Sequence, residues 1–420
     1  MKNIISSALV LISLNATASL NLTKTTNIPS LDIYKMHDQD VVNEKLGNAP
    51  RFAIEYNVDV KSESNNWIVD GENLIKRERI SAPNSVSINV AMDFKMTENS
   101  VVRIYSSDMS EIIRDFTAAD NNSVNELWSP VVMSDDIVVE LVTPRVEAAN
   151  VVFNIKQINQ GYRTFSQSTE KSGSCNIDVA CTESAGWENE VNAVGVISTG
   201  GSTFCTGFMV NNTANDQTPY FMTADHCRIN SRNAQSLVVY WNYQSSKCGG
   251  SRDGAKAQFN TGSQFLSSSS KSDFALVKLN QQPDPSFNVR YAGWDRSGVD
   301  ATNATAIHHP ATDEKSISFE NEPTTITKYL GDKIPGDSTH VRVEDWDVGT
   351  TEPGSSGSPL FDQNHRVIGQ LHGGYASCTS RTSDWYGRIY TSWDGDGSSD
   401  SRLSDHLDSA GTGELTTDTL

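Results

Sequence analysis

No cysteine occurs in the first 174 residues, no two cysteines stand in a C-x-x-C pair, and no glycine-rich phosphate loop is present. No apolar run approaches the ~20 residues that a membrane-spanning helix needs. Basic residues are also scarce, 33 Lys+Arg against 52 Asp+Glu, for a net charge of −19. Each absence excludes something. The charge disfavours nucleic acid and anionic membranes as partners. The cysteine spacing argues against a structural zinc site, and no metal or cofactor is expected. The missing loop removes the usual phosphate cradle.

What is present points to an exported, two-part chain. Lys2, the apolar run Ile4 to Leu14 and the small-x-small triplet Ala16-Thr17-Ala18 form a secretory signal pattern, expected to cover residues 1–18. In an oxidising compartment the six cysteines, all after residue 174, are expected to make three disulfides, for which fifteen pairings exist.

The cysteine-free stretch is expected to be a separate β-rich unit over 19–171. In SVSINVAMDFKM (85–96), Val86, Ile88, Val90, Met92, Phe94 and Met96 alternate with polar or small residues, and IVVELV (137–142) and ANVVFNI (149–155) are also strand-like. RTFSQSTEKSGS (163–174) lacks apolar periodicity and reads as an exposed linker. The remaining unit is placed at 172–420. It carries −13 of the net charge (17 Lys+Arg minus 30 Asp+Glu), a surface that would draw cationic ligands.

Three segments of this second unit carry chemistry. PYFMTADHC (219–227) runs from an apolar strand into a histidine, KSDFALVKL (271–279) puts Asp273 ahead of another strand, and EPGSSGSPLF (352–361) crowds three hydroxyls between glycines. The chain order His226, Asp273, Ser356 is that of one class of nucleophilic triad. Singly, each has an ordinary reading as a turn or strand end; jointly they specify a serine nucleophile with its base and orienting acid.

TADHC, SDFAL and GSSGSP resemble the signature blocks of trypsin-like serine peptidases. SGSCNIDV (172–179), VVYWNYQ (238–244), AGWDR (292–296), AIHHP (306–310), GQLHGG (369–374) and SRLSDHLD (401–408) extend the resemblance over nearly all of 172–420. The family they resemble is that of bacterial lysyl endopeptidases of the Achromobacter protease I type.

The resemblance implies an all-β fold of two six-stranded antiparallel β-barrels, chymotrypsin-like, preceded by a β-rich propeptide domain. It implies a secreted serine endopeptidase cutting after lysine, with His226, Asp273 and Ser356 as triad and the N–H groups of Gly354 and Ser356 as oxyanion hole. Asp384 would take the lysine ammonium, with His372, Gly373 and Gly374 flanking the substrate and Tyr329 standing where the family has a tryptophan. Thr350 occupies the position at which trypsin has its specificity aspartate, so that solution is absent. The implied disulfides are Cys175–Cys378, Cys181–Cys248 and Cys205–Cys227. Self-processing is expected between Lys171 and Ser172, with the chain's own propeptide and lysine-containing peptides as partners of a monomer. The adjacent His308 and His309 would point to opposite faces of a strand, which disfavours a shared metal. The alternatives are arginine or mixed basic specificity, or a silent binding module on this scaffold.

Overall fold

The computed structural model describes residues 24–45, 49–61, 67–163, 172–249 and 253–420. The expected signal segment and Lys171 lie outside the described residues.

The N-terminal unit is a sandwich of two sheets. One contains Thr25–Asn27, Asn73–Ser81, Asp136–Pro144 and Val101–Ser106, with Ile68–Asp70 added to Asn73–Ser81; the other contains Ala53–Lys61, Val152–Gly161, Ser87–Lys95 and Glu126–Trp128. Ile88, Val90, Met92 and Phe94 of the alternating strand meet Ile80, Val102, Ile104, Ile137 and Val139 of the facing sheet. Burial of such side chains stabilises by roughly 1.5–3 kcal/mol each.

Alternation implies that the other face of Ser87–Lys95 is wet, yet Ser87, Asn89 and Ala91 are buried too. The second unit covers them. Asn89 Nδ2 donates to Gly201 O at 3.0 Å, and Asn159 Nδ2 donates to Asn89 Oδ1 at 2.7 Å, so the polar groups are satisfied inside the interface. A Cβ on Gly201 would lie 2.2 Å from Asn159 Nδ2, so only glycine permits this approach. Phe52 stacks on Phe204 at 3.9 Å, and Arg51 bridges Thr203 as an antiparallel pair, with Phe52 N donating to Ser202 O and Phe204 N to Pro50 O. Val196, Phe204, Val238, Tyr240 and Phe259 of the second unit thereby join the sandwich's apolar core.

The second unit contains two antiparallel barrels. The first is a sheet in the order Phe259–Thr261, Val238–Tyr240, Val194–Thr199, Thr203–Met209, Tyr220–Ala224, Phe274–Leu279, Ser263–Ser269. Its two end strands are consecutive in the chain across Gly262, whose φ is 79°, so one bent strand supplies both edges and six strands close the barrel. Ser316–Glu320, Ala304–His308, Pro359–Phe361, Val367–Gly374, Asp384–Arg388 and His340–Val343 frame the second. Thr325–Thr327 follows Ser316–Glu320 in the chain and pairs with the opposite edge, turning the corner in the same way. Short pieces at Ile177–Asp178, Trp294–Asp295 and Thr416–Thr417 extend this sheet to ten segments where six strands were expected.

Between the barrels, Val194, Phe208, Met222 and Phe274 of one pack with Ile307, Ile317, Phe361 and Val367 of the other. Gly387 allows a closer contact still: a Cβ there would lie 1.6 Å from Ser272 O.

Candidate active site

Strand Tyr220–Ala224 ends in a single tight turn, Asp225–Cys227, that projects His226 from the first barrel. The turn is pinned on both sides. Cys227 is disulfide-bonded to Cys205 of the neighbouring strand, and Asp225 N donates to Asp273 O at 3.0 Å. Asp273, 2% exposed, adopts φ 57°, a conformation that aspartate tolerates better than most side chains. From there its carboxylate takes the backbone N–H of His226 at 3.0 Å on Oδ1 and meets the ring Nδ1 at 2.8 Å on Oδ2. Gln370, from the second barrel, donates to the carbonyls of Ser272 and Asp273 at 2.7 and 2.9 Å, fixing the acid across the barrel boundary. Burial depresses the pKa of His226, but the charge and hydrogen bond of Asp273 outweigh it, and the net shift is upward.

The serine loop separates its three hydroxyls. Ser355 is buried, its Oγ 2.9 Å from His308 Nδ1; Ser358 is also fully buried. Ser356 alone is partly exposed. Its carbonyl accepts from Thr206 N at 2.8 Å and lies 3.9 Å from Cys227 Sγ, so the residue sits against the turn carrying His226. Ser356 Oγ makes no hydrogen bond to the His226 ring within 3.5 Å; such contacts commonly tighten only in the substrate complex. Gly354, at φ 101°, could not carry a Cβ without placing it 2.9 Å from Thr312 N. The N–H groups of Ser355, Gly357 and Ser358 bond within the protein. Those of Gly354 and Ser356 have no protein acceptor among the described residues, leaving two donors for an oxyanion.

Asp384 starts strand Asp384–Arg388 and is 1% exposed. Its Oδ2 accepts from Trp346 Nε1 at 2.8 Å and Thr351 Oγ1 at 2.6 Å. No Lys or Arg pairs with it among the described residues. Burial therefore dominates, pushing the carboxyl up to about 6 despite these donors. Gly374 pairs with Asp384 across the strands, and a Cβ there would stand 2.3 Å from Asp384 Oδ1, so only glycine fits beside the acid.

His372 links this strand to the His226–Asp273 pair. Its ring stacks on Tyr329 at 3.6 Å and 4°, lies 5.6 Å from the His226 ring, and places Nε2 3.8 Å from Asp273 Oδ2. Its Nδ1 lies 3.0 Å from Nε2 of His340, a residue that carried no signal in the sequence because it stands in no motif. Burial takes both imidazoles down to about 4, so both are neutral at neutral pH. Asp337, which only accepts, takes the Thr339 hydroxyl proton at 2.6 Å. Thr339 Oγ1 must then accept from His340 Nδ1, and His340 Nε2 from His372 Nδ1, which orients His372 with its unprotonated Nε2 toward the cleft. Trp346 likewise stands in no motif, while Thr351 and Gln370, beside and within motif segments, hold site groups through contacts that the sequence did not reveal.

The structure pairs Cys175 with Cys378, Cys181 with Cys248 and Cys205 with Cys227. His308 and His309 occupy separate buried environments, His308 against Ser355 and Ser318, His309 stacked on Tyr243. Three groups of metal-binding side chains come together among the described residues. The first, Cys205, His226 and Cys227, has both its sulfurs taken by a disulfide. His226, Asp273 and His372 are the hydrogen-bonded and stacked group described above. Glu320, Glu322 and Asp347 lie apart from it.

Comparison with known proteins places these features in a family. The sequence profile of the lysyl endopeptidase C-terminal domain matches residues 169–387. A lysyl endopeptidase of Pseudomonas aeruginosa is 27% identical over 338 residues, spanning 73% of this chain and 71% of that protein. Among solved structures, the active form of the Rv3671c protease from M. tuberculosis aligns with TM-score 0.33 and 15% identity over 53% of this chain and 88% of that one. A Glu endopeptidase in complex with MPD aligns with TM-score 0.32 and 20% identity over 52% of this chain and 92% of its own.

Proposed function

Because this chain belongs to the lysyl endopeptidase family, we propose that it hydrolyses peptide bonds on the carboxyl side of lysine through Ser356, His226 and Asp273. It is a serine endopeptidase acting on peptides or proteins. The lysine reading rests on one observation: Asp384 is a buried carboxylate with two side-chain donors and, among the described residues, no cationic partner, beside the substrate-flanking glycines. A lysine ammonium entering there would supply the missing charge and reach the carboxylate as a charge-assisted bond.

In this mechanism His226 takes the Ser356 proton as the hydroxyl attacks the scissile carbonyl and returns it to the leaving amine, giving an acyl-enzyme that water then hydrolyses. Asp273 stabilises the imidazolium, and the N–H groups of Gly354 and Ser356 receive the oxyanion. Peptides matched except for lysine, arginine, glutamate or alanine before the scissile bond test the proposal. Turnover of the lysine peptide at least tenfold above the arginine one supports it; equal turnover overturns the lysine assignment while leaving the peptidase.

The stack on His372 contributes rather than decides. Tyr329→Ala is expected to lower kcat/KM for the lysine peptide about 2–10-fold, since an aromatic pair is worth about 0.5–1.5 kcal/mol. A variant with unchanged kcat/KM removes Tyr329 from the site.

We infer further that residues 19–171 are a propeptide of a secreted, monomeric enzyme, removed by its own cut after Lys171. Ser172 Oγ donates to Asp313 Oδ2 at 2.7 Å, Gly173 N to Glu352 Oε2 at 2.9 Å, and Cys175 is bonded to Cys378, so a chain starting at Ser172 would already be anchored. The N-terminal unit contacts the first barrel at 200–204 and packs on Val196, Val238, Tyr240 and Phe259. The strand it covers continues into Thr206, whose N–H bonds the carbonyl of Ser356, so the uncut unit would obstruct the cleft beside that serine. Expression of the whole chain is expected to yield a mature protein beginning at Ser172, with Ser356→Ala accumulating uncut. Amino-terminal sequencing that finds another start overturns self-processing after lysine.

A further inference from the structure

Glu320, Glu322 and Asp347 form a cluster in which one carboxylate oxygen from each lies within 4.8 Å of the others. The cluster sits where Ser316–Glu320 turns toward Thr325–Thr327, the corner of the second barrel. Three like charges this close repel unless something between them is positive. Glu322 and Asp347 are exposed and could be partly relieved by water, but Glu320 is 3% exposed. Its Oε1 accepts from Glu322 N at 2.8 Å, whereas its buried Oε2 has no hydrogen-bond partner among the described residues. A buried carboxylate oxygen without a donor is costly. The nearby guanidinium of Arg381 is directed instead to the backbone carbonyl of Asp347 at 3.1 Å.

We propose that Glu320, Glu322 and Asp347 bind a divalent cation, with calcium as the best match. All three ligands are hard oxygen donors, and among the described residues no histidine or thiol joins them to favour zinc or copper. The exposed side leaves room for water to complete the 6–8 oxygens that calcium takes, whereas magnesium demands a tighter octahedron.

The site is coupled to the specificity pocket through a short segment. Asp347 follows Trp346, whose indole donates to Asp384, and Asp347 Oδ2 already holds Asn321 N and Nδ2 at 2.9 and 2.8 Å. Asp347 N and Val348 N both donate to Phe319 O, tying this segment to the strand that carries Glu320. A cation shared by Glu320 and Asp347 would clamp that junction and hold Trp346 over Asp384. The cation binds whether or not the pocket prefers lysine, so only this last consequence rests on the proposed function.

The test is calorimetric titration of the full-length Ser356→Ala chain with calcium chloride and, separately, magnesium chloride, with thermal melts in each. One calcium per chain with Kd below about 1 mM is expected, the range of extracellular sites. A melting temperature about 3–10 °C higher in 10 mM calcium follows. Both effects are expected to disappear in Glu322→Gln and in Asp347→Asn, whose exposed positions leave folding intact. No heat and no melting shift with calcium would overturn the proposal. So would Glu320→Gln melting above its parent in chelator while the parent takes up no calcium, which would mean that a shared proton relieves the cluster.

Discussion

Asp273→Asn is expected to lower kcat about 10,000-fold while leaving the secondary structure unchanged. The geometry explains why one atom matters so much. Oδ1 of Asp273 accepts from the fixed backbone N–H of His226, and Oδ2 faces the ring Nδ1. Asparagine has one oxygen, and the backbone donor cannot turn away, so that oxygen stays with the backbone and the amide NH2 faces Nδ1. The ring must then accept at Nδ1 and carry its proton on Nε2, which removes the base that Ser356 needs. The pKa of His226 should also fall once the charge that raises it is gone. A raised histidine pKa contributes stability that is fully present below the unfolded value near 6.5 and fades as pH rises through the folded value. The parent should therefore melt above the variant at pH 5, with the gap narrowing toward pH 8. Single-turnover assays on a lysine ester measure the first effect, and a loss of less than tenfold would remove Asp273 from the triad.

Asp384→Asn is expected to cut kcat/KM for a lysine peptide about 150–4,000-fold, because breaking a buried ion pair by removing one partner costs about 3–5 kcal/mol. Cleavage after an uncharged residue should change little, so the effect appears as lost preference rather than lost chemistry. The pH dependence is diagnostic. With its carboxyl pushed up to about 6, Asp384 in the free enzyme is ionised above that pH and protonated below it, so lysine kcat/KM should fall as pH drops through 6. The Asn variant acting on an uncharged substrate should keep only the limb due to His226. Stability runs the other way. The folded protein holds this proton more tightly than the unfolded chain, so stability declines as pH rises from about 4 to 6 and remains lower above. The Asn variant should thus melt higher than its parent at pH 8, with the difference shrinking toward pH 4. Unaltered lysine preference in the variant would place the ammonium elsewhere.

Much of this was legible in the chain, for local reasons. The alternation Val86 to Met96 specifies a strand because side chains repeat every two residues, and the glycines around Ser356 mark a loop in which a side chain at 354 would collide. His226, Asp273 and Ser356 could be named because each sits at the end of an apolar run or within a glycine turn. The sequence by itself determined the β-class and the residue types that could perform acyl transfer. Only the tertiary structure decided which hydroxyl is open, because Ser355 is taken by His308 and Ser358 is buried. The same holds for the covered second face of Ser87–Lys95, for Gln370 on the carbonyl of Asp273, and for Trp346 and Thr351 on Asp384. These groups come from distant parts of the chain and obey no short-range spacing. Their roles arise from burial and hydrogen-bond satisfaction, which exist only once the barrels have packed.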